Sequence, residues 1–206
     1  MRDGSESSMP SARRSTRVGA QAFLLLVLLW VMGSAQVISA QVRAPETSAT
    51  IPEAGIIPVA DRQMAPGFSL VDAEGKTINL ADYRGRVVLL DFWATWCGGC
   101  KVEIPWYMEF DRKYRSEGLS AIGAARDDEG WKVVRPFLTL KKDPETGGNT
   151  SMQYPVVLGS DQMADAYHAT SLPVTLLIDK QGRIAVFHAG MVNKETIEKQ
   201  IKELLK

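Results

Sequence analysis

Val87-Val88-Leu89-Leu90-Asp91-Phe92-Trp93-Ala94-Thr95-Trp96-Cys97-Gly98-Gly99-Cys100 is the stretch on which the fold of this chain turns, and it holds both of its cysteines. Val87 to Trp93 is nearly all apolar, the pattern of a strand buried on both faces. A strand that meets a tight turn and then enters a helix puts the first thiol at the helix N-terminus. Free N–H groups and the positive end of the helix dipole there favour thiolate over thiol. Cys100 falls one helical turn on, within disulfide reach of Cys97. That is the layout of a reversible dithiol/disulfide switch. A purely structural disulfide is the bland alternative, but in the chain-entropy model so short a loop contributes only about 2 kcal/mol.

Working outward, Phe68 to Val71 and Lys76 to Ile78 flank Glu74-Gly75 as a β-hairpin, and Leu80 to Arg84 is a short helical turn closed by Gly85. The helix that starts at Cys97 is predicted to run to Ser116, to bend at Pro105 and to end at Gly118. Leu119 to Ala124 reads as a second buried strand and Trp131 to Leu140 as a helix containing Pro136. Lys141 to Ser151 is a polar loop, Pro155 to Leu158 a short extended segment, and Met163 to Tyr167 a helical turn. Val174 to Ile178 and Ile184 to Phe187 are strands joined through Lys180-Gln181-Gly182. Lys194 to Lys206 is an amphipathic helix with Ile197, Ile201, Leu204 and Leu205 inward. This order gives an α/β fold: a mixed central sheet flanked by helices, preceded by an N-terminal β-hairpin extension.

The chain has 206 residues, a formal net charge of zero and 45% hydrophobic residues, which suits one domain plus an additional segment. The balanced charge leaves no electrostatic footprint for nucleic acid. Arg13, Arg14 and Arg17 precede the apolar stretch from Val18 to Met32, and small residues follow at Gly33-Ser34-Ala35 and Ser39-Ala40. This is the plan of a secretory signal, with cleavage expected after Ala35 and Ala40 as the second choice. The alternative is a retained membrane anchor, since the stretch lies between the two length classes. Residues 1–35 therefore read as signal peptide or anchor. Residues 36–64, with Pro45, Pro52 and Pro58, read as a flexible linker, and residues 65–206 as the folded domain. The alternative for the linker's end is that Ile56-Ile57 and Val59 dock as a short strand on the domain edge. Either N-terminal reading places the domain in the periplasm or another extracytoplasmic space, where disulfides persist.

Position assigns the chemistry. Cys97, at the helix tip, is the candidate nucleophile, and Cys100, a turn inside, would resolve the mixed disulfide. Trp96 supplies an apolar surface beside the tip, or else packs in the ordinary way. Asp91 interrupts an apolar strand; a buried carboxyl with a raised pKa could move protons to and from the inner thiol, whereas a partly wet strand end would make it unremarkable chemically. Glu103, at i+3 from Cys100, is either a proton relay on the same helix face or a solvated acid. Pro173 opens a late strand, either as a plain strand-initiating residue or as a cis-proline facing the cysteines and a bound peptide. No cofactor beyond the Cys97–Cys100 disulfide is expected. Nor is a metal, since one Cys-x-x-Cys gives two ligands where a closed zinc site takes four, and His168 and His188 are not at motif spacing.

Asp91-Phe92-Trp93-Ala94-Thr95-Trp96-Cys97-Gly98-Gly99-Cys100-Lys101-Val102-Glu103-Ile104-Pro105 resembles the thioredoxin-like proteins of the TlpA/ResA type, exported bacterial thiol–disulfide oxidoreductases. Leu172 to Ile184 is similar to their cis-proline and following hairpin, and Ala65-Pro66-Gly67-Phe68 to the start of their N-terminal β extension. The resemblance covers roughly residues 65–206. It implies that Cys97 and Cys100 are the redox pair, Pro173 the cis-proline and Glu103 the acid near the active site, with Asp91 like the buried aspartate of thioredoxin. Gly99 departs from the proline common at its place, and the loop from Lys141 to Ser151 is longer than the family minimum. The implied partners are protein disulfides or dithiols, with a membrane electron donor and a role in cytochrome c maturation. A thiol oxidase and a thiol peroxidase on the same fold are the alternatives.

Overall fold

A short antiparallel hairpin, β1 (Ser69–Val71) and β2 (Thr77–Asn79), precedes the main sheet in the computed structural model, which describes residues 55–206. The stretch read as signal or anchor, and the linker up to residue 54, lie outside the described residues. Asp72 shapes the hairpin turn, its carboxylate accepting the N–H groups of Glu74 (3.0 Å) and Lys76 (2.8 Å). The chain then passes through a 3-10 turn (Leu80–Tyr83) into β3 (Val87–Trp93) and α1 (Gly98–Tyr114). β4 (Leu119–Ala125), α2 (Trp131–Leu138), β5 (Val156–Leu158) and α3 (Asp161–Ala166) follow. β6 (Val174–Ile178), β7 (Ile184–Ala189) and α4 (Lys194–Leu205) complete the order.

The five long-range strands lie in the order β5-β4-β3-β6-β7. β3 is parallel to β4 and antiparallel to β6, which makes the sheet mixed. All seven residues of β3 are buried, because alternate side chains serve different layers. Val87, Leu89 and Trp93 face Ile104, Tyr107 and Phe110 of α1 and Ile197 and Ile201 of α4. Val88, Leu90 and Phe92 face the opposite layer, built from Ile78, Leu80, Met163 and Tyr167. The hairpin joins this body at the β5 edge through a bridge between Asp72 and Val157.

Element boundaries move little from expectation. The first long helix ends at Tyr114 and tightens into a 3-10 turn, Arg115–Glu117, before Gly118 at φ +106° terminates it. α2 stops at Leu138, two residues early, and Pro136 lies within its last turn.

The segment before residue 65 differs more. Residues 55–64, expected as the end of a flexible linker, are laid against the domain. Ile57 is buried and donates its N–H to Ala185 O (2.8 Å), while Gln63 O accepts from Ile184 N–H (2.8 Å). Arg62 forms a 3.0 Å ion pair with buried Asp179. The docking uses a 3-10 turn, Val59–Asp61, and a single bridge at Met64 rather than a strand, and Val59 stays exposed. β7 is an edge strand, and this segment covers part of its open side. Among the described residues, no helix is long and apolar enough to cross a membrane.

Candidate active site

β3 delivers the chain to the end of the sheet, and the turn Ala94 to Trp96 swings it into α1. Two contacts hold that turn: Arg126 N–H donates to Trp93 O (2.8 Å), and Asp127 accepts both the N–H (3.1 Å) and the hydroxyl of Thr95. Cys97 is the N-cap of α1, where its Sγ accepts the N–H of Cys100 at 3.2 Å. A sulfur in this position sits among the unpaired N–H groups that favour negative charge. Cys97 and Cys100 are joined by a disulfide, with Cα atoms 5.3 Å apart. Cys100 is fully buried, while Cys97 retains slight exposure at the helix tip.

Around this turn the fold assembles residues distant in sequence. The Leu172–Pro173 peptide bond is cis, and the Pro173 ring faces the dipeptide between the cysteines. A Cβ added at Gly99 would lie 3.4 Å from Pro173 Cδ, 3.2 Å from Met191 Sδ and only 2.8 Å from Met191 Cγ. Gly99 therefore leaves the room that Met191 occupies, and a proline at this place would collide with it. Pro173 O accepts from Gly190 N–H (2.8 Å), which ties the two flanking loops together.

The two acids have different surroundings from those of a wet surface. Glu103 is fully buried; its Oε1 accepts the N–H of Val192 at 2.7 Å, and its Oε2 finds no partner among the described residues. Burial pushes its carboxyl up to about 7, although the Val192 N–H opposes the shift. Asp91 is buried too, with both carboxylate oxygens unpartnered among the described residues. Desolvation, reinforced by the charge of Glu103, holds it well above the ordinary carboxylate range. The partly wet strand end considered for Asp91 is not what the geometry gives. Glu103 can thus hold a proton close to neutral pH, and Asp91 keeps its proton to higher pH than an ordinary carboxyl, both in the layer that contains Cys100.

Trp96 stands apart from the buried group. It is 67% exposed, as the apolar wall of a groove of about 540 Å³ that also touches Leu172, Ala169, Arg126 and Asp128. Met191, 58% exposed, is a second apolar side chain at the disulfide. Cys97, Cys100, Glu103 and Pro173 meet at the first turns of α1, and Asp91 lies beneath them on β3. Asp127, Met191 and Val192 also build the site, but no motif marks them in the sequence. The only clue for Asp127 was its place just beyond the end of a predicted strand parallel to β3. Among the described residues, no group of three or more His, Cys, Asp or Glu side chains could hold a metal ion.

Comparison with known proteins agrees with this geometry. Residues 62–187 match the AhpC/TSA family. Thiol-disulfide oxidoreductase ResA of Geobacillus kaustophilus is 35% identical over 147 residues, covering 71% of this chain and 79% of the relative. ResA of Bacillus subtilis is 32% identical over 145 residues, 70% of this chain and 75% of the relative. A solved thiol:disulfide interchange protein of the thioredoxin family from Chlorobium tepidum is similar with a TM-score of 0.61 at 24% identity, over 70% of this chain and 97% of that one; at this identity the likeness speaks for the fold. With the disulfide at the tip of α1, the cis-proline opposite and the family match spanning most of the folded residues, this chain belongs to the AhpC/TSA family as a thioredoxin-fold thiol–disulfide oxidoreductase similar to the ResA enzymes.

Proposed function

We propose that this protein is an exported reductase of disulfides in extracytoplasmic partner proteins, acting in cytochrome c maturation and recharged by a membrane electron donor. The observation that carries the reading is the split environment of the cysteines: Cys97 at the helix tip, and Cys100 fully buried in the layer that holds Glu103 and Asp91. The Cys97 thiolate attacks one sulfur of a partner disulfide, and the other partner sulfur leaves as a thiolate. Cys100 then gives its proton to the neighbouring carboxylate and attacks Cys97 Sγ. The partner's second sulfur departs, and the Cys97–Cys100 disulfide closes. Two electrons pass to the partner, and no redox group beyond the pair is required.

The Arg13 to Ala40 pattern supports export, and the ResA likeness supports protein disulfides as substrates. The same geometry run in reverse is a thiol oxidase. A thiol peroxidase is less well supported, because the Thr95 hydroxyl is given to Asp127 and Arg126 is bound to Gly159 O and Asp161. The experiment is a Cys100→Ser variant expressed in a bacterium with an oxidising periplasm, with trapped mixed disulfides identified, together with the reduction potential of the wild-type pair. Partners linked through Cys97 and a potential well below about −120 mV are expected. A potential at or above that value would reverse the direction of flux.

A further inference from the structure

Lys101 follows the inner cysteine and lies one helical turn beyond Cys97, to whose carbonyl it donates its N–H at 3.2 Å. Its side chain is buried, which is rare for lysine unless paired. It reaches the 141–151 loop, where Nζ lies 2.7 Å from Glu145 Oε2 and 3.6 Å from Asp143 Oδ2. Asp143 is itself buried and organises the loop, accepting the N–H groups of Glu145 (3.0 Å) and Thr146 (2.8 Å) and the Thr146 hydroxyl (3.1 Å). Burial works against its charge, yet these donors and the Lys101 ammonium hold its carboxyl below the ordinary range.

The loop also rests directly on the active-site helix. A Cβ at Gly148 would lie 3.0 Å from Pro105 Cγ and 3.5 Å from the Lys101 carbonyl. That carbonyl is the one whose helical donor Pro105 removes, since proline has no N–H. The long loop is therefore fastened to the first turns of α1 at two points, one apolar and one ionic.

We propose that Asp143, Lys101 and Glu145 form an electrostatic counterweight by which the 141–151 loop sets the redox poise of the Cys97–Cys100 pair. A free ammonium at i+4 would favour the Cys97 thiolate, stabilise the dithiol and make the pair more oxidising. Two carboxylates against one ammonium leave the group with one net negative charge, so the pair is held toward the reducing side. Lys101, Asp143 and Glu145 are positioning residues that act through charge; Glu103 and Asp91, the other acids facing the pair, are unchanged in every variant below.

The inference rests on the thiol–disulfide reading, and its test is the equilibrium of the full chain with glutathione. Glu145→Gln changes a residue whose side chain is 68% exposed, so the fold is retained. It should move the equilibrium about threefold toward the dithiol, and Asp143→Asn with Glu145→Gln up to about tenfold. At 29.6 mV per tenfold these are shifts of about 14 and about 30 mV to less negative potential. Lys101→Met, which keeps the apolar stem, should shift it about threefold in the opposite direction, and the triple variant, which like Glu145→Gln leaves the group with no net charge, should sit about threefold toward the dithiol. A loop that merely loosens would move all variants the same way. Same-sign shifts, or no shift beyond about twofold, overturn the proposal and leave the oxidoreductase reading intact. A wild-type pair that fails to exchange with glutathione overturns both.

Discussion

A carboxyl removed from water keeps its proton longer, and Glu103 makes that visible in both stability and rate. Its ordinary value is 4.5, and burial raises it to about 7 in the folded protein. Below about pH 4.5 the carboxyl is protonated in both states. Between 4.5 and about 7 the unfolded chain releases the proton while the folded chain retains it, so stability falls as pH rises and levels off above that window. The loss from this group is on the order of 3 kcal/mol. Glu103→Gln removes the titration while an amide oxygen can still accept the Val192 N–H. Denaturant melts at pH 5 and pH 8 should therefore differ less in the variant than in wild type, with part of the difference kept by Asp91, which is shifted in the same direction. On the proposed mechanism the same substitution also removes the acceptor of the Cys100 proton. Resolution of a mixed disulfide at pH 7 should slow by about 100-fold and lose its rise with pH. An unchanged rate with an unchanged pH profile would take Glu103 out of the proton path.

At the scale of elements, the segment before residue 65 is an integral strip of the β7 edge. Ile57 fills a place in the layer formed by Ile78, Leu80 and Ile184, and its N–H is paired with β7. Ile57→Ala should cost about 2 kcal/mol, the low end for a buried isoleucine, since the site is near the rim. Chemical denaturation would detect this, and a loss under about 0.5 kcal/mol would mean the strip is only loosely held. This docking was hard to read because Ile56-Ile57 is too short for any period, and the backbone bonds that fix it come from a strand far along the chain. The strands were legible for the opposite reason: runs such as Val87 to Trp93 carry their burial in their own composition. The cysteines, Glu103 and Asp91 were legible from local spacing. Asp127, Met191 and the Lys101–Asp143 contact were not, since each acts on a partner tens of residues away. Gly99 is the intermediate case. Its departure from proline was visible, but the reason, Met191 lying across it, exists only in three dimensions.

Across the whole molecule, the sheet carries a polar row through an apolar layer. Asp91 on β3 stands opposite Thr175 on β6, which stands opposite His188 on β7. α1 contributes the Tyr107 hydroxyl, 2.8 Å from Thr175 Oγ1, and α4 contributes Gln200, whose Oε1 is 2.8 Å from His188 Nε2. The two ends of this row have different work. Asp91 lies beneath the disulfide, whereas the His188–Gln200 pair is two strands away, roughly 10 Å at about 4.8 Å per strand. A satisfied buried pair stabilises little on balance, but half of one is costly. Gln200→Leu should therefore destabilise the fold by about 1–3 kcal/mol, because it strands the His188 ring nitrogen. His188→Leu combined with Gln200→Leu should recover most of that loss, a non-additivity read from a double-mutant cycle by thermal or denaturant unfolding. Thiol–disulfide exchange in all three variants should stay within about twofold of wild type, because Glu103 and Asp91 keep their surroundings. A large rate change in the double variant, with stability restored, would instead make His188 part of the proton path, extending the active site across the sheet to its far edge.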